Sequence, residues 1–256
     1  MGKFSGVLLC SDFDGTLYSA GRVSDVTREA LRYFRENGGL FTLATGRYPT
    51  ILDDVAKKGI ELVCNAPLVA VNGALVYDRA TQAVLLTHTM AASFAPILGE
   101  ICRTVDGIDS VVLVPASPWC GEVFSPETLT EEYLAERLHG GLLKVCCCID
   151  RNRSDVITES IRSRCGTEWS VVRSCSTYCE IHGASYDKGK TARDLAGLLG
   201  ADTLVCVGDH ENDIAMVKEA DIGVAMGNAV DSLKRVADRV TASVEEDGVA
   251  KLIYSL

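Results

Sequence analysis

The chain has 256 residues, 47% of them hydrophobic and 23% charged, with a formal net charge of −10. This is enough apolar material for a sizeable core, in one large domain or in a domain carrying a second. The acidic balance speaks against nonspecific nucleic-acid binding and against attraction to anionic membranes, but not against a small anionic substrate held by a local cation. No basic stretch followed by an apolar one opens the chain, and no apolar run approaches membrane-spanning length, so the expectation is a soluble, cytoplasmic protein.

In chain order, Val7-Leu8-Leu9-Cys10 is a short apolar run that leads into Asp12-Phe13-Asp14-Gly15-Thr16-Leu17. Ser24 caps a helix running to Asn37, with Val26, Ala30, Leu31 and Phe34 on one face and Gly38-Gly39 stopping it. Leu40–Ala44 reads as a second buried strand, ending at Thr45-Gly46-Arg47. Pro49 suits the first turn of a helix to about Lys58. Leu68–Val71 is a third strand, closed by Asn72-Gly73. Strands that are continuously apolar and alternate with helices indicate a parallel, doubly wound sheet.

From about Ala83 to His182 the strands come in neighbouring pairs, Val111–Val114 with Trp119–Phe124 and Trp169–Arg173 with Thr177–Ile181. Helices are predicted over Ala92–Val105, Pro126–Leu138 and Ser154–Ser163, the second from the start signal Ser125-Pro126-Glu127. After Lys188 the alternation returns: a helix over Lys190–Leu199 ended by Gly200, a strand Thr203–Val207 running into Gly208-Asp209, and a strand Ile222–Ala225. The predicted architecture is α/β: a Rossmann-like doubly wound parallel-sheet core, discontinuous over residues 1–81 and 184–256, with an inserted α+β domain over 82–183.

The eleven cysteines lie mostly in apolar runs such as Leu143–Ile149, and read as buried, reduced thiols rather than a disulfide framework. Cys175 and Cys179 lack the spacing and second pair of a zinc site.

Asp12 and Asp14 stand two residues apart where a buried strand meets a glycine turn. On an extended backbone both face one way, and their mutual repulsion calls for a cation, a proton or ligand chemistry. A calcium loop fails its own template, because Leu17 and Val23 occupy the positions that need glycine and glutamate. A metal site of another kind, a catalytic carboxylate pair and a solvated turn all remain open. Three further clusters fall at strand ends or helix starts: Thr45-Gly46-Arg47, Lys188, and Gly208-Asp209-His210-Glu211-Asn212-Asp213. A parallel sheet collects such positions at one edge. Ordinary structural readings exist too: Thr45 as a strand end, Asp209 as a turn residue, Lys188 as an exposed lysine near a helix N-terminus, Arg47 as a salt-bridge partner as readily as a substrate ligand, and Asn72 as a left-handed turn residue.

The ordered set resembles the four motifs of the haloacid dehalogenase superfamily, Asp-x-Asp-Gly-Thr, a Thr, a Lys and Gly-Asp-x-x-Asn-Asp. The insert, Asn72-Gly73-Ala74, Tyr186-Asp187-Lys188-Gly189 and Gly223–Asn228 resemble its Cof-type phosphatase subfamily, whose cap domain lies at that insert. The resemblance implies Asp12 as nucleophile, forming an aspartyl-phosphate, and Asp14 as the acid that protonates the leaving oxygen and then helps activate water. It implies Mg²⁺ held by Asp12, Asp209 and the Asp14 backbone carbonyl. Lys188, the Thr45 hydroxyl and backbone N–H groups near Phe13 and Gly46 would hold the transferring oxygens, Asn212 would help bind phosphate, and Asp213 would support Lys188 or metal-bound water. An acid at position 14, where the ion-pumping relatives have threonine, implies fast breakdown of the intermediate and hence a phosphatase of small phosphorylated metabolites, sugar phosphates among them. A sugar phosphomutase is the alternative within the superfamily, and a non-catalytic phosphometabolite-binding protein the alternative outside it. Intact Asp12, Asp14, Lys188 and Asp209 speak against the latter. In the insert, Trp119, Glu122, Lys144, Arg173, Tyr178, Glu180 and His182 have side chains suited to reaching a leaving group, with none favoured over the others.

Overall fold

The computed structural model describes residues 2–57, 64–117 and 119–256. Its contacts divide the chain into two compact units, residues 1–86 with 187–256, and residues 87–186.

The first unit opens with β1 (Val7–Ser11), α1 (Asp25–Glu36), β2 (Leu40–Leu43) and α2 (Pro49–Lys57), followed by β3 (Leu68–Ala70), β4 (Leu75–Asp78) and β5 (Ala83–Thr87). The predicted end of α2 near Lys58 lies outside the described residues. Helix α1 starts where its cap dictates: Ser24 is extended and its hydroxyl accepts the Thr27 N–H at 3.0 Å, while Thr27, Ala30, Leu31 and Phe34 form the buried stripe.

The second unit holds α3 (Ala95–Thr104), β6 (Ile108–Pro115), β7 (Glu122–Phe124), α4 (Glu131–His139), β8 (Leu142–Ile149), α5 (Ser154–Cys165), β9 (Trp169–Cys175) and β10 (Tyr178–Gly183). Its antiparallel sheet runs in the order β7-β6-β8-β10-β9. One face, with Val111, Leu113, Val145, Cys147, Trp169 and Ile181, packs on Leu98 and Ile101 of α3, Leu134 and Leu138 of α4, and Ile157 and Ile161 of α5. Helices α3, α4 and α5 thus lie on one side of the sheet.

The chain then completes the first unit with α6 (Lys188–Leu199), β11 (Thr203–Gly208), α7 (Ile214–Glu219), β12 (Ile222–Ala225), α8 (Asp231–Lys234), β13 (Arg239–Val240) and α9 (Gly248–Ser255). Its main sheet is parallel, in the order β13-β12-β11-β1-β2. Leu8, Leu9 and Cys10 of β1 are all fully buried, which is why the strand reads as an unbroken apolar run rather than an alternating one. Strand order reverses between β1 and β11, paired from Val7 with Thr203 to Ser11 with Val207, so the residues that follow each strand emerge together at the switch point. Among the described residues no helix is long and apolar enough to cross a membrane.

Two elements differ from the sequence prediction. Strand β3 touches β2 through a single parallel bridge, Ala44 with Val69, and otherwise pairs antiparallel with β4. The cause is the Val71-Asn72-Gly73 turn, with φ of 54°, 55° and 93°, which sends the chain straight back. The single helix expected over Pro126–Leu138 is instead a 3₁₀ turn, Pro126–Thr128, followed by a separate α4. Leu129 breaks the run, and Thr130 provides a second cap by accepting the Tyr133 N–H at 3.2 Å. Thr130→Ala therefore lowers unfolding stability by about 1 kcal/mol, whereas Ser125→Ala, at the weaker start signal, costs under about 0.5 kcal/mol. Urea denaturation of the two variants checks this.

Candidate active site

The site grows from the carboxyl ends of β1 and β11. The Asp12 N–H donates to the Val207 carbonyl at 2.9 Å, extending the β1–β11 ladder by one bond and fixing where the Asp12 side chain starts. Lys188 is the first residue of α6, whose N-cap Asp187 accepts the Lys190 N–H at 2.8 Å. The fully buried Lys188 ammonium donates to Asp12 Oδ1 at 2.6 Å and to Asp213 Oδ1 at 2.7 Å. Asp213 Oδ2 accepts the backbone N–H groups of Asp209 and His210 at 2.9 and 3.1 Å. Both oxygens of Asp213 are thus engaged in holding Lys188 and the loop after β11. Asp209 Oδ1 accepts the Thr16 hydroxyl at 3.0 Å.

Gly15 makes this approach possible. It has φ +77°, and a Cβ there would stand 2.4 Å from Asp209 Oδ2. Oxygens of Asp12, Asp209 and Asp213 lie within 4.8 Å of one another. Three carboxylates converge on one ammonium, and the electrostatics record the imbalance. Burial, then the neighbouring Asp213 carboxylate, hold Asp12 well above the usual carboxylate range. The same two causes push Asp209 up to about 7. For Lys188, burial favours the neutral amine, but the Asp12 and Asp213 charges outweigh it and raise its pKa above the ordinary value.

Asp14 takes a different partner. The Phe13 carbonyl accepts from the N–H groups of both Leu17 and Tyr18, so the chain turns directly after the strand. The Asp14 carboxylate is held by Arg47 through a two-bond fork, Nε and Nη2 each at 2.7 Å from one oxygen. The Arg47 guanidinium lies 5.2 Å from the Phe13 ring centroid, and Phe13 stacks on Tyr18 at 4.9 Å. Thr45, buried at the end of β2, accepts the Arg47 N–H on its hydroxyl oxygen at 3.1 Å. Gly46 lies between these two residues. The Asn212 amide donates to Asn72 Oδ1 at 3.4 Å, and the Asn228 amide donates to the Gly15 carbonyl at 2.9 Å.

The structure thus brings Asp12, Lys188, Asp209 and Asp213 together, and joins Asp14 to Thr45 through Arg47. Sequence reasoning left Arg47 equally a salt-bridge partner or a substrate ligand, without naming its partner, and passed over Thr16 and Asn228 as individuals. Their contacts span 33, 193 and 213 residues, so no local pattern announces them.

Of the candidates in residues 87–186, Arg173 pairs with Asp155 of α5 and so faces the helices, and Glu122 pairs with Arg137 of α4. Tyr178 is about half exposed, and Trp119 lies in the β6–β7 connection. Lys144, Glu180 and His182 are buried.

Residues 9–253 match the family of haloacid dehalogenase-like hydrolases. The chain is 31% identical over 252 residues to the 5-amino-6-(5-phospho-D-ribitylamino)uracil phosphatase YcsE of Bacillus subtilis (strain 168), covering 96% of this chain and 94% of that protein. It is 27% identical over 268 residues to YitU, named for the same activity in the same organism, covering 96% of each. In three dimensions it resembles a haloacid dehalogenase-like hydrolase from Bacteroides thetaiotaomicron, with a TM-score of 0.72 and 24% identity over 99% of both chains. The chain belongs to the haloacid dehalogenase-like hydrolases, as an enzyme of their phosphatase class.

The upward shift at Asp209 has a consequence for stability. In the folded protein without metal this carboxyl keeps its proton up to about pH 7, whereas the unfolded chain releases it near pH 4. Stability from this group is therefore fully present below about pH 4 and is lost as pH rises toward about 7. In chelator, thermal melts across that window fall more steeply for the wild type than for Asp209→Asn, the difference being on the order of a few kcal/mol.

Proposed function

We propose that this chain is a Mg²⁺-dependent phosphatase that hydrolyses phosphate monoesters of small metabolites, sugar phosphates among them, through an aspartyl-phosphate on Asp12. The observation that carries the reading is the buried Lys188 ammonium, 2.6 Å from Asp12 and 2.7 Å from Asp213. A lysine so placed screens the nucleophile from the dianion it must attack.

The donor set suits a hard divalent cation. Three carboxylate oxygens within 4.8 Å face one ammonium, and burial, then the neighbouring Asp213 carboxylate, raises Asp12 and Asp209. Asp12, Asp209 and the Asp14 carbonyl would hold Mg²⁺, which in its place supplies charge neutralisation for the incoming phosphate. Asp213, with both oxygens already engaged, serves by fixing Lys188 and the Asp209 loop.

The chain's own groups then divide the work. Asp12 attacks phosphorus, and Lys188 neutralises the transferring oxygens. The Thr45 hydroxyl accepts from the Arg47 N–H and so keeps its own proton to donate to a phosphate oxygen, alongside the backbone N–H groups of Phe13 and Gly46. Asn212 assists from the loop after β11. Asp14 protonates the leaving oxygen and later takes a proton from water. The Arg47 fork on both Asp14 oxygens fixes that carboxyl in direction. Residues 87–186 act as the cap that selects the leaving group. YcsE and YitU are named for a phosphate ester of a ribityl chain, which supports a polyol phosphate as the substrate class.

Phosphate release from a panel of metabolite monophosphates tests the reading. Asp12→Asn lowers kcat by roughly 10³-fold or more and Asp14→Asn by roughly 10²–10⁴-fold, with activity lost in chelator and restored by Mg²⁺. Turnover surviving in Asp12→Asn sinks the nucleophile assignment. Arg47→Lys keeps the charge but breaks the fork, and lowers kcat roughly tenfold with little change in KM. A loss confined to KM would instead make Arg47 a substrate ligand.

A further inference from the structure

The turn that follows the strand of Asp12 is held from far outside its own stretch of sequence. Gly15, at φ +77°, gives its N–H to the Tyr18 carbonyl at 2.9 Å, and its own carbonyl accepts from Asn228 Nδ2 at 2.9 Å. Both peptide planes that flank Gly15 are thereby pinned, and with them the direction of the Asp14 carbonyl, which a planar trans peptide sets opposite the Gly15 N–H. Asn228 lies in the connection between β12 and α8, and its Oδ1 accepts the Val244 N–H at 2.9 Å. That connection is also tied to the end of β11: the Met226 N–H donates to the Gly208 carbonyl and the Val230 N–H to the Asp209 carbonyl, each at 2.9 Å. The Lys234 ammonium steadies it further through the Gly227 carbonyl at 2.6 Å.

These contacts close a ring. It runs from the Asp209 backbone through Val230 to the Asn228 amide, on to the Gly15 carbonyl, and from Thr16 back to Asp209, whose Oδ1 accepts the Thr16 hydroxyl at 3.0 Å. The two sides of the ring carry acids that repel, with oxygens of Asp12 and Asp209 within 4.8 Å of one another. A link that resists their parting therefore has a task. Asn228 is exposed, and water can take over both of its backbone partners, so its two hydrogen bonds add little to global stability. What they supply is register, because the side-chain amide spends a donor on one loop and its acceptor on another.

We propose that Asn228 is a positioning residue for the reaction: by closing this ring it sets the spacing between the turn after Asp12 and the carboxylate of Asp209, and so the fit of these groups to a divalent cation. This rests on the phosphatase reading above for its cation. In this role Asn228 acts through the Gly15 carbonyl and Thr16, not by contact with the ester. Groups that orient a metal's ligands in this way change its affinity about 10- to 100-fold when removed.

The test is made on the full chain. Calorimetric titration with Mg²⁺ gives a Kd weakened roughly tenfold in Asn228→Ala, and a similar loss in Thr16→Val, which cuts the ring at its other closing bond. The double variant is then little weaker than either single one, because a ring opened twice is no looser than a ring opened once. In phosphate release the loss of kcat is recovered at high Mg²⁺ concentration, and in chelator the melting temperature of Asn228→Ala stays within about 2 °C of the wild type. A Kd that moves by less than about threefold overturns the proposal, as do additive effects of the two substitutions. A melting temperature that falls in step with the Kd overturns it too. Hydrogen exchange in chelator separates this from a failure of the phosphatase reading. A wild type that binds no Mg²⁺ counts against that reading, and exchange then decides the assignment by itself. In Asn228→Ala the amides of residues 13–18 exchange roughly tenfold faster while those of β1 and α6 do not change. Exchange that is unchanged in the turn overturns the assignment.

Discussion

A single buried ammonium organises the polar centre of the first unit. Lys188 sits with no side-chain exposure between Asp12 and Asp213, and the loop after β11 takes its course from the oxygen of Asp213 that Lys188 leaves over. Burial of a lone charge on this scale would be costly. Here the acids outnumber the cation, and burial, then the neighbouring Asp213 carboxylate, holds Asp12 and Asp209 above the usual carboxylate range. A bound proton or an added cation relieves that conflict. Functional sites are where such local conflicts are expected.

The backbone makes that convergence inevitable once the strands are set. Ser11 pairs with Val207 in adjacent parallel strands, so the next residues of both chains leave the sheet side by side. Helix α6 then starts at Lys188 with its N-terminus toward the same edge. A lysine at a helix N-terminus is opposed by the macrodipole, and the two carboxylates that grip it are what make the position tenable. Two glycines close the space. Gly15 admits Asp209, and a Cβ on Gly208 would meet Asp213 at 2.5 Å. Neither position tolerates a side chain without parting the acids.

Parallel strands buried on both faces are legible because nothing but apolar residues can fill them, which is why β1, β2, β11 and β12 were readable as runs. Helix α1 was readable because Ser24 and the stripe of Ala30, Leu31 and Phe34 agree, although Val26, read into that stripe, is 48% exposed and Thr27 is buried in its place. The four polar clusters were readable as a group because strand ends and a helix start gather at one sheet edge, and their roles only through the resemblance of the ordered set to the superfamily motifs. What escaped was set by long-range geometry or by competition between nearby signals. The cap at Thr130 overrode Ser125-Pro126 because Leu129 is held out of helical conformation. The return of β3 onto β4 depended on three consecutive residues with positive φ, two of them not glycine. The partner of Asp14 could not be read at all, since Arg47 reaches it only after β2 has been laid beside β1.

The two units hold their buried charges differently. In the first, carboxylate oxygens of Asp12, Asp209 and Asp213 lie within 4.8 Å of one another beside the Lys188 ammonium, and burial, then the neighbouring carboxylates, raises Asp12 and Asp209. In the second, Lys144 donates to Glu180 across β8 and β10, each ion meeting its opposite at hydrogen-bond distance. Acids that outnumber the base at the ends of β1 and β11 leave a site that added positive charge stabilises, and that is a property of the first unit by itself.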